Sequence, residues 1–202
     1  MTTKEKILAF SLQLFNEQGV EVVTTRHIAK EMGISQGNLH YHYPNKNTLI
    51  EALFQGFIQS LQEAARHREG DPFPPSEILL SMKDNFRVMY DYRFFFLDNE
   101  VVWRRVPELE NQLIGLLGAK QKEIHQLILQ LGQEGLMREE ISDRQMTFLA
   151  EQFMFSISTW LTAAKFLQVE GDKAEYFSEF LFRFWLPYLK PDQMEVWESL
   201  LS

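Results

Sequence analysis

The segment TTRHIAKEMGISQGNLHYHYPNK, which runs from Thr24 to Lys46, decides the fold of this chain. Two short helical patterns flank Gly33, and glycine suits the tight turn between them because it tolerates positive φ. Ser35 is a good N-cap for the second short helix, whose inward residue is Leu39. This spacing is that of a helix-turn-helix, in which the second helix enters the major groove of DNA.

Helical periodicity also dominates outside this segment. Thr2 and Glu5 have the spacing of a capping box for a first helix, and Gly19 follows it as a stop. We expect Thr25 to cap the second helix and a fourth helix to run from near Asn45 to about His67. After a breaker at 69–75, further helices are expected at about 76–90, 94–105, from 107 to 132 or 135, at 143–169, at 173–186 and in a short final segment. The pattern contains no strand alternation and predicts an all-α fold.

Composition and charge divide the chain into two parts. The whole chain carries a formal net charge of −8, yet residues 1–50 hold five basic and four acidic residues. The acidity therefore belongs to the larger part, which indicates two regions with different partners. The absence of Cys excludes disulfides and thiolate metal sites. Because neither a secretory signal nor a membrane-spanning stretch is evident, we expect a cytoplasmic protein without membrane association.

The segment from Thr24 to Lys46 closely resembles the DNA-binding domain of the tetracycline-repressor (TetR) family, and the resemblance covers about residues 3–55. It implies a helix-turn-helix DNA-binding domain over residues 1–47 and a helical ligand-binding and dimerisation domain over residues 48–202. It also implies a homodimeric transcription factor, usually a repressor that a small ligand releases from a palindromic operator in double-stranded DNA.

The resemblance further implies a set of DNA contacts. Thr25 and Lys46 occupy positions of phosphate contacts, and Tyr41 and His42 resemble backbone contacts of the recognition helix. Gln36, which stands where relatives often have a basic residue, suits adenine N6 and N7 and predicts an operator contact at A·T. The expected DNA-binding residues are Thr25, Arg26, Gln36, Gly37, Asn38, His40, Tyr41, His42 and Lys46.

Aromatic residues concentrate beyond residue 80 and suggest two further sites. A seam of apolar residues at helical spacing predicts an isologous four-helix dimer interface. Its residues are Phe153, Ile157, Trp160, Ala164, Phe177, Phe180, Leu181 and Phe184. A mainly apolar cavity for a small, largely apolar or aromatic effector is expected at Phe86, Met89, Tyr90, Trp103, His125, Phe155 and Thr159. For both sets, ordinary packing in the monomer core is the alternative.

Two other classes of protein compete with a DNA-binding regulator. An enzyme needs a convergent nucleophile and base or a set of metal ligands, and the sequence shows no such motif. His40 and His42 cannot share a metal ion because residues two apart lie on different sides of a helix. We therefore expect neither catalysis nor a metal or other cofactor. The second alternative is an all-α protein-interaction or ligand-binding module without regulatory DNA binding.

Overall fold

A computed structural model describes residues 1–65 and 74–201 of the chain. The helices are α1 (Thr3–Gln18), α2 (Thr25–Glu31), α3 (Gln36–His42), α4 (Lys46–Ala65), α5 (Pro75–Asp91), α6 (Phe94–Leu97), α7 (Asn99–Arg105), α8 (Pro107–Gln133), α9 (Asp143–Phe166), α10 (Lys173–Arg183) and α11 (Pro191–Glu198). Short 3₁₀ turns lie at Leu186–Tyr188 and Ser199–Leu201. Within the described ranges no β-strand occurs, apart from one isolated bridge between Met137 and Leu189. The all-α prediction is confirmed.

Local sequence signals set the ends of most helices. The capping box of α1 forms as predicted, with Thr2 and Glu5 exchanging backbone and side-chain hydrogen bonds. The Ser35 hydroxyl caps α3 by accepting from the Asn38 N–H at 3.1 Å. The predicted cap of α2 is wrong by one residue, because the extended Thr24 accepts from the His27 N–H at 3.1 Å. Thr25 is therefore the first helical residue, and its hydroxyl does not cap the helix.

Several helix boundaries beyond residue 65 differ from the expected ones, and α10 ends at Arg183 instead of residue 186. The segment 94–105 is divided into α6 and α7 at Asp98, whose φ of −112° and ψ of 27° are not helical. The helix expected to reach residue 169 ends at Phe166, and Gln168 then adopts a positive φ of 51°. Ser76 lies inside α5 instead of preceding it. Most of the expected breaker at 69–75, and the expected end of the fourth helix near His67, lie outside the described residues.

The chain forms two compact units that do not follow the expected boundary between residues 47 and 48. The first unit comprises Met1–Glu63 with Asp91–Leu113, and the second comprises Ala64–Tyr90 with Ile114–Ser202. Aromatic packing explains why most of α4 belongs to the first unit. The buried rings of Phe54 and Phe57 lie 5.4 and 6.0 Å from the ring of Phe95 in α6. Burial of these rings joins α4 and α6 in one hydrophobic core.

The helix-turn-helix lies in the first unit and is tightly packed. Ile28, Ala29 and Leu39 are buried between its helices. Gly33 has a φ of +65°, which is the left-handed turn conformation expected for it. The Ile34 N–H donates to the Ala29 carbonyl at 3.0 Å across this turn. With its apolar residues inward, α3 keeps its opposite side free for a partner.

The core of the second unit is rich in aromatic rings. Trp160 of α9 packs against Phe86 of α5 and Phe177 of α10, with ring centroids 5.1 and 5.0 Å apart. Phe182 and Trp197 stack at 4.8 Å in the same unit. Since aromatic side chains bury large apolar areas, these contacts account for the concentration of aromatic residues beyond residue 80.

Candidate nucleic-acid interface

The surface of α3 opposite Leu39 is polar, aromatic and exposed. Leu39 itself is fully buried, whereas Tyr41 is 84% exposed. The ring of Tyr41 meets the ring of His42 edge-on, with their centroids 5.2 Å apart. The predicted contact residues that lie exposed in the first unit are Arg26, Gln36, Gly37, Asn38, His40 and Tyr41. The helix-turn-helix thus places most of the predicted contacts on one accessible helix and beside it.

A hydrogen bond joins α2 to the first residue of α3. The side-chain amide of Gln36 donates from Nε2 to the Thr25 hydroxyl oxygen at 3.1 Å. This bond is available because Thr24, and not Thr25, caps α2. Two of the predicted DNA contacts, one for phosphate and one for a base, are therefore linked to each other.

Lys46 is half-buried and already engaged within the first unit. Its ammonium donates to the carbonyl oxygens of Val20 and Glu21 at 2.7 and 3.4 Å. Burial lowers the pKa of Lys46, the neighbouring Arg105 cation lowers it further, and the Glu21 carboxylate opposes both. An ammonium has three N–H donors, so one remains for a phosphate oxygen. Sequence reasoning missed the internal bonds because their partners lie about 25 residues away.

The segment from Asp91 to Arg105 is fastened to the end of α1 by polar contacts that the sequence did not indicate. The Asp98 carboxylate accepts from the buried Val20 N–H at 2.7 Å. The Asn16 amide donates to the Asp91 carbonyl at 2.6 Å and accepts from the Phe94 N–H at 3.1 Å. The Asn47 amide donates to the Arg105 carbonyl at 3.0 Å. These bonds hold the end of α1, Val20 and the start of α4 against the segment that contains α6 and α7 within the first unit.

Comparisons with known proteins agree with this geometry. The family model described as "Bacterial regulatory proteins, tetR family" matches residues 7–53, which include the helix-turn-helix. The family model described as "Bacterial transcriptional repressor" matches residues 56–196, which is more than half of the chain. The chain belongs to the TetR family. The predicted resemblance to this family is confirmed.

Individual relatives in the TetR family support the assignment over different lengths. The class D tetracycline repressor of Escherichia coli is 35% identical over 66 residues, which are 33% of this chain and 28% of the repressor. The probable HTH-type transcriptional regulator YttP of Bacillus subtilis (strain 168) is 24% identical over 145 residues, 66% of each chain. A solved TetR-family regulator from Marinobacter aquaeolei VT8 is 26% identical, with a TM-score of 0.87 and coverage of 99% of this chain and 97% of that one.

The chain spans only 28–31% of the length of the first curated tetracycline repressors that it matches. The alternative of an all-α module without regulatory DNA binding is not favoured, since both family models describe regulatory proteins.

In the second unit of this TetR-family chain, most of the predicted dimer seam lies in the monomer's own core. Trp160 and Leu181 are at most 1% exposed and have no surface left for a second copy. The buried members of the predicted seam are Phe153, Ile157, Trp160, Ala164, Phe177 and Leu181. Phe184 is half-buried, and Phe180 is 43% exposed. The prediction that these buried residues form the dimer interface is therefore corrected. Their regular spacing reflects the packing of α9 and α10 within the monomer core.

The other side of α9 carries an exposed apolar stripe that sequence reasoning assigned to no interface. Phe148, Phe155 and Phe166 are 55, 72 and 79% exposed, and Leu167 directly after the helix is 65% exposed. On α10, Tyr176 and Phe180 are 44 and 43% exposed, and their rings stack at 6.4 Å. One feature of the sequence could have indicated this stripe: α9 has aromatic residues on more than one side. A helix that is buried on one side only does not need them.

The predicted effector residues do not converge on one cavity. Phe86 and Met89 are buried, and the ring of Phe86 lies 5.1 Å from that of Trp160. The half-buried Tyr90 has its ring 6.3 Å from the same indole. Phe155 and Thr159 lie on the exposed side of α9, and Trp103 belongs to the first unit, where it stacks on Phe95. The predicted effector site is therefore corrected for three residues. The helical positions of Phe155 and Thr159 place them on the outer side of α9, and Trp103 packs in the first unit.

His125 lies in a shallow groove between α8 and α9. The cavity has a volume of about 290 Å³ and is lined by Gln121, Lys122, His125, Gln126, Thr147, Ala150 and Glu151. No cluster of three or more His, Asp or Glu side chains that can hold a metal ion occurs among the described residues. In the same part of the chain, none of the helices is long and apolar enough to cross a membrane.

Proposed function

We propose that this TetR-family chain is a homodimer that binds a palindromic operator and represses transcription until a small, largely apolar or aromatic ligand releases it. The observation that carries the proposal is the exposed polar and aromatic face of α3 on a helix-turn-helix whose other face is buried. Such a protein acts by occupying DNA and needs no catalytic group, so we propose no enzymatic activity. It works where its operator lies, in the bacterial cytoplasm.

The proposed division of labour on DNA follows the exposure of the residues. Gln36, Gly37 and Asn38 at the start of α3 face base edges, and His40, Tyr41 and His42 lie along the backbone with Thr25, Arg26 and Lys46. Base contacts specify the sequence, whereas phosphate contacts set position and supply most of the salt dependence. The net negative charge of residues 51–202 keeps this attraction restricted to residues 1–50.

Selection of bound fragments from genomic DNA by the full-length protein tests DNA binding. We expect an inverted repeat whose half-sites are spaced so that the two recognition helices of a dimer enter the major groove one helical turn apart. Affinity for it should fall steeply with salt because counterions are released from the phosphates. Arg26→Ala should weaken binding to all sequences and reduce the salt slope by about one per subunit. Lys122→Ala, which removes an exposed cation of the second unit, is the matched control.

The dimer is proposed to form through the exposed stripe of Phe148, Phe155 and Phe166 on α9, together with Tyr176 and Phe180 on α10. Contiguous exposed aromatic side chains of this kind mark interaction sites, and a two-fold arrangement brings the same patch of each copy together. Sedimentation or light scattering should show a dimer for the natural chain and a monomer for Phe155→Glu. Val22→Glu places the same charge on another exposed apolar residue and should leave the dimer intact.

Effector binding is proposed at the aromatic cluster of Phe86, Tyr90 and Trp160 in the second unit. The Trp160 Nε1–H is buried and finds no acceptor among the described residues, so it is suited to a carbonyl or hydroxyl oxygen of an aromatic ligand. A panel of small aromatic carbonyl compounds, screened by tryptophan fluorescence and operator release, tests this idea. A compound that binds without lowering operator affinity refutes release by this site, because the two affinities must be coupled.

A further inference from the structure

We infer that Thr25 is a positioning residue for base recognition: its hydroxyl orients the Gln36 amide so that this amide matches adenine and not guanine. The inference rests on the proposed function, because Gln36 has to face a base edge. Its structural basis is the 3.1 Å hydrogen bond from Gln36 Nε2 to the Thr25 hydroxyl oxygen. Eleven residues separate the two side chains, so the packing of α2 against α3 creates the pair.

The hydroxyl of Thr25 is free to take this role. The N-cap of α2 is Thr24, whose hydroxyl accepts from the His27 N–H, so the hydroxyl of Thr25 is not needed for capping. A threonine hydroxyl has one proton to donate and lone pairs to accept with. It accepts from Gln36, and its own proton has no acceptor among the described residues. That proton is therefore available to an acceptor from outside the chain, such as a phosphate oxygen.

The bond determines which groups Gln36 presents. The side-chain amide has two N–H donors on Nε2 and one carbonyl oxygen. With one N–H donated to Thr25, a single N–H and the oxygen remain, and adenine offers N7 as an acceptor and N6 as a donor to match them. If the amide were turned over, the Thr25 proton would have to go to the amide oxygen, and no donor would be left for phosphate.

Guanine does not fit the oriented amide. Its N7 and O6 are both acceptors, so the amide oxygen would face O6 without a proton between them. Without the Thr25 hydroxyl, the amide can rotate and place both N–H donors toward guanine. Loss of the hydroxyl should therefore reduce the preference for adenine over guanine at one position of each half-site. By contrast, loss of a phosphate contact alone weakens binding to every base equally.

The test uses the full-length protein and the operator that it selects. The operator position read by Gln36 is first identified as the one at which Gln36→Ala loses its base preference. Fluorescence anisotropy then measures the affinity for the selected operator and for operators that carry each of the other base pairs at that position. We expect the natural chain to prefer A·T over G·C by about tenfold or more per half-site, as one bidentate base contact allows. Thr25→Val should reduce this ratio to about threefold or less, whereas Thr25→Ser, which keeps the hydroxyl, should retain it.

Each result decides one point. Because the readout is a ratio of affinities of one preparation, partial unfolding of a variant cancels. An unchanged ratio in Thr25→Val, with equal loss for all four bases, overturns the inference while the proposed function stands. In the Gln36→Ala background, Thr25→Val should leave the ratio unchanged, and any further shift there also overturns it. If the natural chain selects no palindrome, the proposed function fails and the inference fails with it.

Discussion

The phenol oxygen of Tyr43 is a buried polar atom, and its removal should stabilise the protein. Tyr43 is 4% exposed, and its hydroxyl finds no hydrogen-bond partner among the described residues. The residue directly follows α3 in the extended conformation that Pro44 favours. Tyr43→Phe deletes only the oxygen, so the ring packing and the Lys4 ammonium 5.8 Å above the ring are retained.

The expected gain follows from the cost of the unpaired hydroxyl. Leaving a buried hydrogen-bonding group unsatisfied costs about 1–3 kcal/mol relative to its hydrated state in the unfolded chain. Replacement by an apolar group of the same shape removes that cost and loses no bond. We therefore expect the free energy of unfolding to rise by about 1 kcal/mol or more. For a chain of this length, that corresponds to an increase in Tm of roughly 2–4 °C per kcal/mol.

The same burial predicts the dependence on pH. Desolvation raises the pKa of Tyr43 above its ordinary value of 10.0. Above about pH 10 the unfolded phenol loses its proton before the folded one does, so this group lowers the stability of the natural chain as the pH rises. The phenylalanine side chain of the variant cannot ionise. The advantage of Tyr43→Phe should thus be constant below about pH 9 and should grow above about pH 10.

Urea unfolding followed by circular dichroism at about pH 7.5 and about pH 10.5 measures both effects. Tyr41→Phe is the matched control, because that hydroxyl is on a residue 84% exposed and its removal should leave stability unchanged. Operator affinity of Tyr43→Phe should equal that of the natural chain. A variant that is equally stable or less stable at the lower pH would refute the reasoning, since the hydroxyl would then have a partner in solution.

Three further changes test other contacts. Asp98→Ala should cost about 1.5–3 kcal/mol in urea unfolding because the buried Val20 N–H loses a charged acceptor, whereas Glu100→Ala on the exposed surface should cost little. A lysine with a lowered pKa in the folded state makes the protein more stable as the pH approaches about 10.5, and Lys46→Met should remove this rise. If the difference in free energy of unfolding between the natural chain and the variant stays constant from about pH 8 to 11, the prediction is wrong. Trp160→Ala should lower the free energy of unfolding by about 3–5 kcal/mol at any protein concentration. Phe155→Ala should lower it only as far as it weakens the dimer, so its effect should depend on protein concentration. Equal losses with the same concentration dependence in both variants argue against the assignment of the buried and exposed faces of α9.

The helix-turn-helix was predictable because its signals are local. Capping by Ser35, the left-handed turn at Gly33 and the extended residue before Pro44 each depend on neighbours in the chain. Together with the outward polar residues of α3, they predicted the helix-turn-helix, and the family resemblance then implied the candidate DNA-binding residues. Even here, the predicted cap at Thr25 was wrong by one residue, because the backbone geometry makes Thr24 the cap.

The dimer and effector residues were less predictable because α9 is apolar on two sides. Phe153 and Phe155 are two positions apart and chemically identical, yet one is 4% and the other 72% exposed. Periodicity describes the spacing of such residues, but it does not determine which stripe meets α10 and which stays outside. The mistaken seam is the inward stripe, whose regular steps looked like an interface between subunits.

What the sequence by itself determined is the succession of helices and the turn between α2 and α3, because short-range backbone preferences specify them. The family followed from the resemblance of residues 24–46. Only the tertiary structure decided which side of α9 is buried, and it also brought Asp98 to Val20 across 78 residues and Gln36 to Thr25 across 11. The physical reason is that a side-chain hydrogen bond between distant residues leaves no periodic trace. It forms when hydrophobic packing has already placed two helices side by side.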